Sequence, residues 1–268
     1  MIQHSEKIAF VFGAGAVENA WKPIIKILEK PFPNISDADS ANCFLARFIY
    51  LMRFHASGTS PNSEEALKGM NEDFTEMKKG ICLALIDAEK NKIIKPREEL
   101  GGILHKFIFS NSSNGCVFIS TNWDNVVDNY INKIGECDYP IGGSDIIVHH
   151  IHGSIVSPND LYFPSEVVRE SYRSKKQDFE MGNLHGTIWK ILEDCNKTIL
   201  YGLSLDPLDA ELSQTLAAGW SSENLKEIIV INPDHKKISK RVKLLLDPRF
   251  PAKVTGYHPQ DLNRTFNY

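Results

Sequence analysis

The sequence predicts an α/β fold, a Rossmann-like parallel sheet covered by helices on both faces, with a helical insertion. Three observations carry that prediction. Short apolar runs of strand length alternate with longer segments of helical period. The apolar runs show little polar alternation, as expected of parallel strands buried on both faces. At five of these strands, polar or glycine residues gather just past the C-terminal end, the edge at which open parallel sheets bind ligands.

Taken in order, residues 8–12 read as the first strand, which breaks into Gly13-Ala14-Gly15-Ala16. Residues 17–30 have helical spacing, with Val17, Ala20, Trp21, Ile24, Ile25, Ile27 and Leu28 on one face and Glu18, Lys22, Lys26 and Glu29 outward. Strand, glycine turn and helix together set backbone N–H groups against a phosphate. A residue without a side chain lets the ligand approach, and the helix N-terminus adds partial positive charge. Pro31 and Pro33 end this segment, and 34–40 is a loop that caps the next helix. Helical patterns over 41–55, 63–91 and 96–109 make residues 31–110 a helical block in which no strand is expected. The second strand, 116–120, ends in Thr121-Asn122-Trp123-Asp124 and precedes a helix over 125–134. The third, 145–151, ends in His152-Gly153-Ser154; an irregular charged stretch and a helix over 177–196 follow. The fourth, 198–201, ends in Gly202-Leu203-Ser204-Leu205-Asp206 and leads into a helix over 209–219. The fifth, 225–231, ends at Asn232-Pro233, and a basic helix over 235–246 and a short strand over 252–255 close the chain.

Composition narrows the function classes. With 268 residues, 42% hydrophobic and 24% charged, the chain has enough apolar sequence for a sizeable core. A net charge of −4 argues against nucleic acid as a direct partner. No run of about 18 apolar residues is present, and Met1 to Lys7 has no signal-peptide pattern, so no membrane partner and a cytoplasmic location are expected. The five cysteines, Cys43, Cys82, Cys116, Cys137 and Cys195, never form a C-x-x-C pair, which fits reduced thiols.

A dehydrogenase of Rossmann type fits badly: the turn lacks its third glycine, and a helical block stands where the second strand and its acidic residue belong. The order of motifs instead resembles the sirtuin family, and more closely its divergent bacterial members, the NAD-consuming sirtuin-like effectors of anti-phage defence. The resemblance rests on Gly13-Ala14-Gly15-Ala16, Ser120-Thr121-Asn122-Trp123-Asp124, His152-Gly153, Gly202-Leu203-Ser204-Leu205 and Asn232. It covers residues 8–30 and 115–256, and omits the helical block, which stands where that family carries its variable smaller lobe. It implies one catalytic domain over 1–268, with 31–110 inserted. Asn122 and His152 match the catalytic pair, and Asp124 matches the residue at the nicotinamide end. Ser204 and Asn232 match contacts to the phosphate and the adenosine ribose. Gly13, Ala14, Gly15, Ala16, Thr121 and Gly202 complete the implied cofactor-binding set. NAD is then the substrate, and no metal is expected.

The chemistry agrees with those residue types. Breaking the nicotinamide–ribose bond passes through a sugar cation like that of glycoside hydrolysis. It needs a diphosphate grip, an amide such as Asn122 to orient ribose or water, and a base near neutral pH such as His152. Two departures favour hydrolysis over lysine deacylation: the paired C-x-x-C zinc module is absent, and Glu18-Asn-Ala-Trp-Lys-Pro23 replaces the family's proline-Asp-Phe-Arg segment. The expected activity is NAD glycohydrolysis, with ADP-ribosyl transfer or non-catalytic sensing of NAD or ADP-ribose as the alternatives. Control by a regulatory or sensor partner, or by homo-oligomerisation, follows from the danger of destroying a central cofactor. Other readings are plainer. His149, His150 and His152 are poor metal ligands, because only 150 and 152 share a strand face. Trp123 reads as packing, Asp206 and Asp209 as helix caps, and His235 to Lys243 as a solvated helix face.

Overall fold

The computed structural model describes residues 6–58, 61–107, 115–137 and 146–263. Strand β1 (Ile8–Phe12) leads through a 3-10 turn (Ala14–Ala16) into the two-residue β2 (Val17–Glu18) and helix α1 (Lys22–Leu28). Helices α2 (Ala38–Ala56) and α3 (Ser63–Lys90), the short β3 (Lys95–Pro96) and α4 (Leu100–Phe107) follow. Then come β4 (Cys116–Ser120), α5 (Val126–Cys137), β5 (Val148–His150) and α6 (Lys175–Glu193). The chain continues through β6 (Lys197–Tyr201), α7 (Ala210–Trp220), β7 (Glu227–Ile231), α8 (His235–Leu245), β8 (Lys253–Tyr257) and α9 (Pro259–Asn263).

Six strands form one parallel sheet in the order β5-β4-β1-β6-β7-β8. Counting only these strands, this is the doubly wound Rossmann order, whose connections change direction between β1 and β6 and leave a crevice at their C-terminal ends. The register holds the crevice level: Phe12 lies opposite both Ser120 and Tyr201. Beyond the strand ends, the Gly13 N–H donates to Tyr201 O, the Thr121 N–H to Phe12 O and the Gly202 N–H to Ile231 O. Three motifs separated by up to 189 positions in sequence thereby meet at one edge.

Side-chain alternation along the strands divides the core in two. Ile8, Phe10, Phe12, Phe118, Ile199, Tyr201, Ile229 and Ile231 face the helical block and α5. Ala9, Val11, Ile119, Leu200, Ile228 and Val230 face α6, α7 and α8. The helical block therefore packs as part of the first helical layer, through buried Leu28, Leu45, Ile49, Met52, Ile81 and Leu85.

Several local expectations are corrected. Residues 17–30 are not one helix. Val17 and Glu18 pair antiparallel with Pro96 and Lys95, and Asn19 adopts φ +58°, donating through Nδ2 to Ile93 O. The helix begins only at Lys22, with Pro23 in the first turn, where its missing N–H costs nothing. The same pairing puts a strand, β3, in the block expected to be wholly helical. Helix α9 was not expected. Strand β5 is shorter than the expected 145–151: it spans Val148–His150, with Ile146 and Ile147 outside the strand and Ile151 already in the turn; Asp145 lies outside the described residues, as do 108–109 of the expected 96–109 helix. No helix among the described residues is long and apolar enough to cross a membrane. Cys43, Cys82, Cys116 and Cys195 are free thiols, and the Cys137 side chain lies outside the described residues.

Candidate active site

A cavity of about 460 Å³ opens at the crevice, within the roughly 300–1,000 Å³ typical of small-molecule sites. Ala14, Gly15, Thr121, Asn122, Asp124, His152, Gly202 and Ser204 all line it. Gly13, Ala16 and Asn232 do not. The Asn232 amide is occupied at both ends: Nδ2 donates to Leu203 O, and Oδ1 accepts the Asp234 N–H. Asn232 thus braces the loop that carries Ser204 from behind.

The glycine turn is built for contact between two segments of backbone. Gly202 sits at φ +68°, and a Cβ there would lie 2.4 Å from both Ala16 N and Gly15 C. A Cβ on Gly15 would lie 2.7 Å from Gly202 Cα, and one on Gly13 would lie 2.6 Å from Gly202 O. The Gly15 N–H donates to Gly202 O, and the Ala16 N–H to Gly13 O. With the Gly13 N–H already committed to Tyr201 O, the Ala14 N–H is the one in this turn with no protein acceptor among the described residues. The expected cradle of several N–H groups is therefore reduced to one.

Asn122 lies two residues past the end of β4 and is buried, and its Nδ2 has no hydrogen-bond partner among the described residues. Leaving a buried donor unpaired is costly, and a ligand acceptor in the adjoining cavity would satisfy it. The Asn122 backbone is held independently. Its N–H donates to Ser120 Oγ at 3.1 Å, while its carbonyl meets His150 Nδ1 at 2.8 Å. His150 Nε2 in turn meets Asp128 Oδ1 at 2.8 Å. Although burial favours the neutral ring, the Asp128 bond and charge raise the His150 pKa.

Asp124 is 3% exposed. Its Oδ1 accepts the Val126 N–H at 3.2 Å, so it does cap α5, yet it also lines the cavity. Burial pushes its carboxyl up to about 7, the Val126 bond opposing this and the neighbouring Glu89 adding to it. Trp123 packs between Trp21 and Phe163, its Nε1–H donating to Tyr162 O.

His152 lies past the end of β5, in a turn, so it does not share a strand face with His150; each ring is bound by its own carboxylate. Gly153, at φ +70°, passes so close to Asp160 that no Cβ fits, and this fixes the turn that aims the ring. His152 Nε2 meets Asp209 Oδ2 at 2.8 Å. Burial alone would favour the neutral ring, but the Asp209 carboxylate outweighs it and raises the pKa. His185, behind the pair, is pushed down to about 4 by burial and by His152. Asp209 occupies the N-cap position of α7 without making a cap bond, which corrects its reading as a helix cap. Asp206 Oδ1 accepts the Leu208 N–H and also lines the cavity. Among the described residues no group of three or more His, Cys, Asp or Glu could hold a metal ion.

Residues to which the sequence assigned no place in the site complete the wall. Asp209 comes from the segment before α7, and the helical block contributes Asp39, Asn42 and Arg97. No spacing rule points to them, since Asp209 is 57 positions from His152 and Arg97 is 82 from Gly15. Arg241 of the basic α8 is likewise not merely solvated: its Nη1 donates to Ser204 O and Leu205 O, holding the second glycine turn. Comparison with protein-family models and with curated proteins finds no match for this chain.

Proposed function

We propose that this chain hydrolyses NAD to nicotinamide and ADP-ribose. The observation that carries the reading is the shared cavity of Asn122, with its unpaired buried Nδ2, and the His152–Asp209 pair, at the switch point of a doubly wound sheet. The cavity's size and its one unsatisfied buried donor suit a polar ligand of nucleotide dimensions.

In this reading water attacks the anomeric carbon of the nicotinamide ribose. The C–O bond forms as the C–N bond breaks, and nicotinamide leaves as a neutral base with the bonding pair. Asn122 Nδ2 donates to the ribose or to the water. His152 accepts the water proton at Nδ1, because Nε2 is held by Asp209. Asp124, in its ionised form, faces the positive charge that develops on the sugar. The chain would act as an NAD-depleting effector of a bacterial anti-phage defence system, held off until needed by a regulatory partner or by assembly.

The test is incubation with NAD and chromatography for nicotinamide and ADP-ribose, repeated with Asn122→Ala and His152→Ala. Wild type is expected to release both products in equal amounts. Each variant is expected to lose about a hundredfold or more, the usual scale for a general base or an orienting donor. Release untouched by both substitutions sinks the site assignment. Nicotinamide without matching ADP-ribose points to transfer onto an acceptor, and NAD binding without turnover, under every assembly state tried, points to a sensor.

A further inference from the structure

The helical block does more than cover the sheet. Three of the four N–H groups in the Gly13–Ala16 turn end on protein carbonyls, which leaves the Ala14 N–H to meet a phosphate. The cavity wall is also acidic, with Asp39, Asp124, Asp206 and Asp209 against two permanent cations, Lys22 and Arg97. A diphosphate entering this wall needs a fixed positive charge. Lys22, in the first turn of α1, is exposed, as Arg97 is, and among the described residues it has no bond to the glycine turn. Arg97 is anchored there twice: its own N–H donates to Ala16 O at 3.0 Å, and its Nε donates to Gly15 O at 3.1 Å. No protein acceptor among the described residues takes its two Nη atoms, so the bidentate end of the guanidinium stays open. The β2–β3 pairing, Val17 to Pro96 and Glu18 to Lys95, fixes the backbone that delivers it. A second residue of the block behaves alike: Asn42 lines the same cavity, and its Oδ1 is buried without a partner.

We propose that Arg97, supplied by the helical block and clamped to the glycine turn, is the residue that binds the diphosphate of the ligand. This rests on the reading of the ligand as a dinucleotide. Guanidinium suits the task because its planar fork matches two phosphate oxygens at once. It also explains why the turn can commit its amides to holding two loops together.

Binding, rather than turnover, tests this independently of any activator. ADP-ribose and adenosine are titrated calorimetrically into the full chain and into its Arg97→Gln and Arg97→Lys variants. Arg97→Gln is expected to weaken ADP-ribose by about ten- to a hundredfold, the usual loss for a charge-assisted hydrogen-bond pair, and to leave adenosine unchanged. Arg97→Lys recovers part of the loss, since it restores charge without the fork. Wild-type binding of ADP-ribose with equal binding by Arg97→Gln overturns the assignment of Arg97 and leaves the dinucleotide reading standing. Equal losses for ADP-ribose and adenosine also overturn it, because the effect is then not on phosphate. Failure of the wild type to bind ADP-ribose or NAD at all overturns the dinucleotide reading, and this proposal with it.

Discussion

Asp124 is a carboxyl almost completely withdrawn from water, and its stability cost depends on pH in a definite direction. Its proton is retained in the folded chain up to about 7 and lost in the unfolded chain near 3.8. The unfolded state therefore gains stability as pH rises between those values, and the folded chain carries the full penalty above 7. That penalty is up to roughly 4 kcal/mol at about 1.4 kcal/mol per pKa unit. Asp124→Asn keeps an acceptor for the Val126 N–H and carries no charge. It is expected to be more stable than wild type at pH 8, with the advantage shrinking to under about 2 kcal/mol at pH 5. Urea unfolding midpoints at the two pH values check this; no gain at pH 8 would mean that Asp124 is ionised without strain in the folded chain. The same site shows how far single residues could be read from sequence. Asn122 and His152 stand out because each lies within two residues of a strand's C-terminal end, so chemistry and position coincide. Asp209 sits at a helix start, where a carboxylate has an ordinary job, and only the fold brings it to His152.

At the scale of elements, the two glycine turns after β1 and β6 form one unit. Gly202→Ala places a Cβ against Gly15 and Ala16 backbone atoms and forces a side chain into the left-handed region. Backbone conformation costs about 1–2 kcal/mol and overpacking typically about 1–3 kcal/mol more, so a total loss of about 3 kcal/mol is expected, together with loss of ligand binding. Thermal unfolding of the variant with and without ADP-ribose measures both; an unchanged midpoint would refute the interlock. The strands were legible because parallel strands at the centre of a sheet are apolar throughout, and all six expected strands are found in the main sheet, the third of them shortened to Val148–His150. The segment after the first glycine turn was not legible. Its apolar residues have helical spacing, but Val17 and Glu18 pair with a partner nearly 80 positions away, and no local pattern reports that pairing.

Across the whole molecule, the helical block is tied to the irregular segment after β5 by buried charges. Arg53 of α2 forms a bidentate pair with Glu170 and reaches Ser165 O, and the Glu170 side chain is 1% exposed. Glu166 accepts from Phe163 N–H and Tyr172 Oη–H, with Lys78 and Arg173 nearby. Breaking a buried pair by removing one partner costs about 3–5 kcal/mol, because the remaining charge is stranded. Arg53 is one-third exposed, so water reaches part of the gap, and Arg53→Ala is expected to cost about 2–3 kcal/mol, just below that range. Denaturant unfolding gives the number; a loss below about 0.5 kcal/mol would put this pair with ordinary surface pairs. The sequence indicated a helical block and a charged irregular stretch as separate features. It could not indicate that they meet, because ion pairing over more than 100 positions leaves no periodic trace.

The cavity draws its wall from the sheet edge and from the helical block together, so a molecule that fills it works as a removable tie between the two. Ligand at a hundred times its dissociation constant adds about 2.7 kcal/mol to the stability of the chain that holds it. If that ligand is NAD, the protein is braced by the compound that the proposed reaction consumes. Under the proposed hydrolysis each turnover exchanges that brace for ADP-ribose, so the tie between sheet edge and helical block persists only as far as the product holds the same cavity.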